Sequence, residues 1–236
     1  MPPLTEAAQS LLNIMLSSEQ EAAFDVYASE LEAWNAHTNL TAITAPDDVR
    51  VRHFLDSLTL LAAAPLPPGA HIIDVGTGAG FPGLPLAIAR PDLRVTLVEA
   101  TGKKLAFCQH VAELLQLKGV SFVHARAEEA GHMPGLRESG DLVAARAVAR
   151  LPALLEYLLP LARIGGLALA MKGQTAAAEA KDSARALKLL GGKLREVREF
   201  ALPGLEEPHY LVVVEKTAPT PAGFARRPGQ PVQKPL

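Results

Sequence analysis

One glycine-rich segment, residues 74–83, carries the pattern most able to hold a small molecule. It reads Asp-Val-Gly-Thr-Gly-Ala-Gly-Phe-Pro-Gly and begins at the end of a short apolar run, residues 71–75. Glycines in such a loop let the backbone turn tightly and approach a ligand closely. Glu99 ends the next apolar run, where its carboxylate can accept hydrogen bonds from both hydroxyls of a ribose. The spacing therefore predicts an adenosine-type site at the ends of two strands.

Two cofactors compete for this geometry. A dinucleotide requires Gly-x-Gly-x-x-Gly, which Gly78, Gly80 and Gly83 match, but Gly76 is the first glycine after the strand and Phe81 then takes the third-glycine position. The negative charge of Asp74 would also repel a pyrophosphate. It would attract the ammonium and sulfonium groups of S-adenosylmethionine (AdoMet). The residues favour AdoMet, with an NAD-linked oxidoreductase as the alternative.

The elements that position this loop alternate along the chain. Strands are predicted at residues 71–75, 95–99, 120–124, 141–145, 167–171, 197–202 and 210–215, and helices at 83–89, 103–116, 151–162 and 176–190. Such alternation is typical of a doubly wound α/β sheet. Seven strands with a closing hairpin suit the class I, Rossmann-like AdoMet methyltransferase fold.

The chain divides into three predicted parts. Residues 1–64 read as a helical extension, with capping boxes at Ser18/Glu21 and Thr44/Asp47. A breaker cluster near Pro65 opens the methyltransferase domain, residues 65–216. Residues 217–236 form a basic, Pro-rich tail that reads as extended.

Composition limits the class of protein. The 236 residues have a net charge of −2, but residues 1–49 hold eight acids and no Lys or Arg, whereas residues 216–236 hold four basic residues and no acid. Cys108 is the only cysteine, so an internal disulfide and a cysteine-based zinc site are excluded and no metal is expected. With neither a signal peptide nor a long apolar span expected, we predict a cytoplasmic protein without membrane attachment.

Beyond the loop, several motifs occur in a defined order. They are Asn39-Leu40-Thr41, His53-Phe54-Leu55-Asp56-Ser57-Leu58, Phe81-Pro82-Gly83-Leu84-Pro85-Leu86, Arg146-Ala147-Val148-Ala149, Met171-Lys172-Gly173 and Arg226-Arg227-Pro228-Gly229. The series resembles the RsmG (GidB) family. This resemblance implies methylation of N7 of a guanine in the 530 loop of bacterial 16S rRNA, with 16S rRNA, the 30S subunit or an assembly intermediate as partner. We also expect a monomer.

The resemblance also implies roles for individual positions. Gly76 and Phe81 would line the AdoMet pocket and Glu99 would hold the ribose; Ala127 and Glu128 would border the adenine, and Arg146 would orient substrate or cofactor. The other predicted cofactor-binding residues are Asp74, Gly78, Ala100 and Thr101. One departure is visible, because the family usually has an arginine just before the last strand and this chain reads Pro208-His209. His209 would be a weaker, pH-dependent substitute.

Guanine N7 has a free lone pair and no proton, so its methylation needs no general base. Arg146 could instead form an ion pair with Asp141 or Glu128. The candidates for RNA contact are His53, Lys103, Lys172, Arg226 and Arg227. His53 could also be an ordinary surface residue beside an Arg52–Asp56 pair, and Lys103 a solvated lysine.

The residues leave other functions open. The same core would serve a methyltransferase acting on another RNA, a small molecule or a protein. It would also serve a binding module that retains the pocket without catalysis.

Overall fold

The protein is built around one seven-stranded sheet, seen in a computed structural model that describes residues 3–236. The strands follow the order β3-β2-β1-β4-β5-β7-β6, with β1 to β5 parallel and β7 antiparallel to both neighbours. Their bounds are β1 His71–Val75, β2 Arg94–Glu99, β3 Val120–His124, β4 Gly140–Arg146, β5 Ala162–Lys172, β6 Gly192–Phe200 and β7 His209–Lys216. The predicted seven-stranded, doubly wound fold is confirmed.

Helices cover both faces of the sheet, which is why all five residues of β1 are buried. The connecting helices are α5 Gly83–Ala89, α6 Gly102–Leu114, α7 Ala127–Ala130, α8 Leu151–Leu158, α9 Ala176–Asp182 and α10 Ala184–Leu190. Helices α5 and α6 share one apolar cluster with the N-terminal helices. Helices α8, α9 and α10 belong to the cluster on the other face.

The N-terminal part is helical, as expected, and packs against α5 and α6. It consists of α1 Leu4–Leu12, α2 Ser18–Thr38, α3 Pro46–Val49, a π-helical turn Arg50–Leu55 and α4 Asp56–Ala63. Both predicted caps are wrong. Helix α2 is capped by Ser17, whose Oγ accepts from Gln20 N at 3.3 Å, and α3 begins after Ala45, which has no capping side chain.

Several element bounds match the prediction closely, and others do not. The bounds of β1, β3 and α5 are those predicted. Strand β5 begins five residues earlier than expected. Gly165, with φ of +80°, lies inside the strand, where the pairing with β4 is irregular. The single helix expected at 176–190 is divided at Ser183, whose hydroxyl donates to the carbonyl of Glu179 at 2.7 Å.

The C-terminal segment is docked on the domain, which corrects the extended tail expected from its prolines. Residues Gln230–Gln233 form a short helix, α11, near α8. Arg226 forms an ion pair with Glu156 of α8 at 2.6 Å, and Arg137 donates to the carbonyls of Thr220 and Phe224. No helix within residues 3–236 is both long and apolar enough to cross a membrane.

Candidate active site

The glycine loop lies where the sheet order reverses, between β1 and β4. Ligands of open α/β sheets bind at this position, beyond the carboxyl ends of the strands. Gly76, Gly78 and Gly80 have φ values of +67°, +60° and +96°, a region that side chains strongly disfavour. A Cβ on Gly76 would also lie 2.8 Å from the side chain of Val148, so the loop after β4 packs closely on it.

Asp74 supports the loop from inside the sheet. Its side chain is fully buried, and its Oδ2 accepts from Thr77 Oγ1 at 2.6 Å and from Gly83 N at 2.8 Å. Its Oδ1 is buried without a hydrogen-bond partner among the described residues. Burial raises the pKa of Asp74 from 3.8 to about 6. An unpaired carboxylate oxygen at this point is well suited to a cationic ligand.

Glu99 ends β2 on the other side of the loop. Its Oε2 accepts from Gly78 N at 3.0 Å and its Oε1 from Thr101 N at 2.7 Å, so the carboxylate is held in one orientation. Each oxygen retains a lone pair for a further donor. Thr101 is the N-cap residue of α6, and Ala100, between Glu99 and Thr101, is exposed.

The adenine-side candidates follow β3 at the same edge. Ala127 begins α7, and Glu128 is buried, with its Oε1 accepting from Gly229 N at 2.8 Å. Glu128 thus anchors the C-terminal segment beside the site. The structure brings Asp74, Gly76, Gly78, Glu99, Ala127 and Glu128 to one edge of the sheet.

An aromatic stack joins the N-terminal helices to this loop. Phe81 lies between Tyr27 and His53, at centroid distances of 5.4 Å and 4.3 Å and with interplanar angles of 20° to each. The guanidinium of Arg146 lies 4.9 Å from the centroid of Phe81. Phe81 is itself only 4% exposed. It therefore connects the loop to Arg146 at the end of β4.

Arg146 is held by the N-terminal helices rather than by either acid expected. Its Nη1 donates to the carbonyl of Arg52 at 2.7 Å and lies 3.4 Å from Oδ2 of Asp56, and its Nη2 lies 2.9 Å from Nδ1 of His53. Asp141 is paired with Arg163 instead. The alternative of an ion pair with Asp141 or Glu128 is therefore wrong, since the paired acid is Asp56.

His53 is buried, so the alternative that it is an ordinary surface residue is wrong, while contact with RNA stays a prediction. Because an arginine can only donate, Nδ1 of His53 accepts, and Nε2 carries the proton toward Thr41 Oγ1 at 2.8 Å. Burial and the charge of Arg146 lower the pKa of His53 to about 3, so the ring is neutral at physiological pH. The expected Arg52–Asp56 pair is absent as well: Arg52 pairs with Asp48 at 3.8 Å.

A cavity of about 660 Å³ opens beside Arg146. It lies beyond the ends of β4 and β5, and two of its lining residues, His53 and Arg146, pack on Phe81 of the glycine loop. Asp56 forms part of its wall and accepts from His209 Nδ1 at 3.0 Å. The polar residues that line the cavity are Thr41, Arg52, His53, Asp56, Arg146, Lys172, Thr175, Glu179, Glu207 and His209. Its volume is sufficient for a nucleobase.

The candidates for RNA contact separate into two groups. Lys172 pairs with Glu179 at 2.9 Å and donates to the carbonyl of Ala149 at 2.6 Å, and Arg226 is paired with Glu156. Both of these side chains have internal partners. Lys103 and Arg227 are exposed, and their side chains have no polar partner within residues 3–236.

Two residues at the site were not selected from the sequence. One is Tyr27 of α2, whose hydroxyl donates to the carbonyl of Ala79 in the glycine loop. The other is Thr41, which bonds to His53. Thr41 belongs to the ordered motifs, so the motif series could have indicated it, as it does for Asp56, which contacts Arg146. No local signal marked Tyr27.

These features fit AdoMet. Buried Asp74 offers an unpaired oxygen for a cation, Glu99 has lone pairs for ribose hydroxyls, and the glycines leave the backbone open to close approach. The fold and the site define a class I, AdoMet-dependent methyltransferase.

Comparison with known proteins identifies the group within that class. The family model for GidB, rRNA small subunit methyltransferase G, matches residues 20–207. Ribosomal RNA small subunit methyltransferase G of Lactobacillus delbrueckii subsp. bulgaricus is 47% identical over 237 residues, covering 100% of this chain and 99% of the relative. The Roseiflexus sp. protein of the same name is 47% identical over 223 residues, with 94% of each chain covered. The chain belongs to the rRNA small subunit methyltransferase G family.

Solved structures agree on the fold. TrmN from Thermus thermophilus has a TM-score of 0.53 at 22% identity, covering 71% of this chain and 53% of that one. TYW2 from M. jannaschii, solved in complex with AdoMet, has a TM-score of 0.53 at 15% identity, covering 69% and 76%. The shared fold covers about 70% of this chain.

Proposed function

We propose that this protein transfers a methyl group from AdoMet to N7 of a guanine in the 530 loop of 16S rRNA. The observation that carries the proposal is the polar cavity beside Arg146, a residue that packs on Phe81 of the glycine loop, in a member of this family. The substrate is 16S rRNA, free or within a 30S subunit or an assembly intermediate, and the chain acts as a cytoplasmic monomer.

This reaction does not require a side chain to act as an acid or a base. AdoMet supplies an electrophilic methyl group when bound, and guanine N7 supplies a lone pair with no proton to remove. The residues therefore act by alignment, which can account for several orders of magnitude in rate. His53 suits this account because both ring nitrogens have partners and the pKa of the ring is lowered to about 3.

Arg146 is the residue that orients the target base in this proposal. Its Nη1 and Nη2 are used by the N-terminal helices, and Nε–H has no partner among residues 3–236. That donor suits guanine O6 or a neighbouring phosphate, because methylation uses N7 itself. The internal bonds of Arg146 fix its guanidinium, so the donor is pre-organised.

Exposed basic residues at the same edge would contact RNA phosphates. Lys103, Arg126 and Arg150 follow β2, β3 and β4 and are exposed. Arg227 adds a cation from the docked tail. Residues 1–64 and 217–236 act in this proposal as additions that shape the substrate side of the domain, residues 65–216. Binding through phosphates predicts that RNA affinity falls with salt.

The experiment compares two RNA substrates that differ at one atom. A fragment containing the 530 loop is made with guanine or with 7-deazaguanine at the target, which keeps O6 and the Watson–Crick edge but replaces N7 by C–H. Labelled AdoMet should methylate the guanine RNA and leave the 7-deaza RNA unlabelled, although both bind. Equal labelling of both would exclude N7 as the acceptor.

The Asp56–His209 pair makes a second candidate worth testing in the same assay. A histidine whose Nδ1 faces a carboxylate can take a proton at Nε2, which would suit a target amine or hydroxyl. Labelling of the 7-deaza RNA would favour that alternative.

A further inference from the structure

The carbonyl of Ala79, in the middle of the glycine loop, is held by a residue from the N-terminal helices. The hydroxyl of Tyr27, on α2, donates to this oxygen. We propose that Tyr27 is a positioning residue that fixes the peptide between Ala79 and Gly80 in the orientation that AdoMet binding requires. This inference rests on the placement of AdoMet at the loop.

Tyr27 is itself rigidly placed. Its side chain is fully buried, and its ring packs on Phe81, Phe54 and Phe107 at centroid distances of 5.4, 5.2 and 6.2 Å. Burial raises the pKa of Tyr27 well above its ordinary value, so the hydroxyl stays protonated and remains a donor. A fixed ring with a protonated hydroxyl can impose one orientation on its acceptor.

The loop needs such a restraint because of its glycines. Rotation of the Ala79–Gly80 peptide changes φ of Gly80, which is +96°, and glycine adopts positive and negative φ about equally well. Local sterics therefore do not hold this peptide. A Cβ on Gly80 would lie 2.6 Å from the Tyr27 hydroxyl and 2.5 Å from Leu84, so the glycine also makes room for the tyrosine.

Other hydrogen bonds also hold the loop, some from the sheet and some within the loop itself, where Gly80 N donates to the carbonyl of Thr77 at 2.9 Å. Glu99 accepts from Gly78 N and Asp74 accepts from Gly83 N. Tyr27 adds a restraint from outside the sheet, directed at the loop segment between those two. Ala79 is 3% exposed, so its carbonyl has little access to water if the hydroxyl is removed. The N-terminal helices thus support the cofactor site through the contact between Tyr27 and the glycine loop.

The test is Tyr27→Phe, which removes one oxygen and keeps the ring. Isothermal titration should show AdoMet binding weakened by about threefold to tenfold, the range for one hydrogen bond. Hydrogen exchange of the protein without cofactor should become faster at the amides of Gly80 and Phe81, which bond to the carbonyl of Thr77 at 2.9 Å. Exchange needs no turnover, so it reports loop order directly.

Phe24→Leu is the matched control. Phe24 lies on the same helix and packs on Phe54 at 5.0 Å, so its truncation weakens the extension without removing the hydroxyl. It should lower the unfolding midpoint yet leave AdoMet affinity and loop exchange unchanged. Unchanged affinity and exchange in Tyr27→Phe, or equal losses in both variants, would overturn the positioning role.

Glu99→Ala separates failure of this inference from failure of the site. If Glu99→Ala loses AdoMet binding and Tyr27→Phe does not, the site stands and the role of Tyr27 is rejected. If Glu99→Ala binds AdoMet like the parent protein, the cofactor placement is wrong, and the inference is rejected with it.

Discussion

Arg146 and His53 form a hydrogen bond of 2.9 Å that joins the end of β4 to the π-helical turn of the N-terminal part. The bond requires a neutral imidazole, and burial together with Arg146 keeps the pKa of His53 near 3. The other ring nitrogen, Nε2, donates a hydrogen bond to Thr41 Oγ1. His53 is thus placed to orient the guanidinium of Arg146.

The first prediction concerns this pair. His53→Ala should slow methyl transfer by roughly a hundredfold in single-turnover assays, because a misaimed guanidinium misplaces the target base. Arg146→Ala should slow it at least as much. Since the two act as a unit, the double variant should be little slower than Arg146→Ala alone.

His110→Ala is the matched control for this cycle. His110 pairs with Glu30 at 2.7 Å, is not among the residues that line the cavity, and should leave the rate unchanged. Additive losses in the His53/Arg146 double variant would show that the two residues act separately and would contradict the account.

The second prediction concerns pH and Asp74. The pKa of Asp74 is raised to about 6 by burial, and a bound cation would stabilise the carboxylate. AdoMet affinity should therefore be constant above pH 6 and fall below it, by up to about tenfold per pH unit. Asp74→Asn should bind more weakly and show no such dependence in titrations between pH 5 and 8.

The same shift affects the protein without cofactor. Because the folded pKa lies above the ordinary value of 3.8, the contribution of Asp74 to the free energy of unfolding is fully present below pH 3.8 and is lost as the pH rises through about 6. The two effects have opposite signs. A pH-independent AdoMet affinity in the parent protein would separate Asp74 from the cofactor.

The sequence predicted the parts of the fold that depend on local pattern. Short segments rich in Val, Ile and Phe defined β1 and β3 correctly. The break at Ser183 could not be predicted, because it lies in an Ala-rich stretch with no Gly or Pro and depends on a side-chain bond to Glu179. The tail could not be placed either, since its anchor, Glu156, is 70 residues away.

The site divides in the same way. Asp74 and Glu99 could be selected from the sequence because each lies at the end of a predicted strand, next to the glycine loop or level with it. Parallel strands bring such residues to the same side of the site. The partners of Arg146 and Lys172 are set by tertiary contacts between distant elements, so sequence alone did not select Asp56 for one or Glu179 for the other. The sequence identified basic residues that could contact RNA, but it did not show which of them form ion pairs within the protein.

The third prediction separates the two arginines of the tail. Arg226→Ala leaves the fully buried carboxylate of Glu156 without its partner, so the free energy of unfolding should fall by about 3 kcal/mol. Arg227 is exposed, and Arg227→Ala should change stability by less than about 0.5 kcal/mol.

RNA binding should show the reverse order. Arg227→Ala should reduce the slope of log affinity against log salt by about one, and Arg226→Ala should leave the slope unchanged under conditions where it is folded. A reduced slope for Arg226→Ala with full stability would mean that the Glu156 pair opens to bind RNA.

The fourth prediction concerns His209. Methylation of N7 requires no base, so His209→Asn should leave the single-turnover rate at saturating RNA nearly unchanged. A large loss of rate at saturation, together with loss of its pH dependence, would assign His209 as a base and would contradict transfer to N7.

The most direct measurement is transfer of a labelled methyl group from AdoMet to unmodified 16S rRNA and to 30S subunits, with the site mapped by cleavage at 7-methylguanine. The account predicts label at a single guanine in the 530 loop. Label at another nucleotide, or no transfer to either RNA by a protein that binds AdoMet, would contradict it.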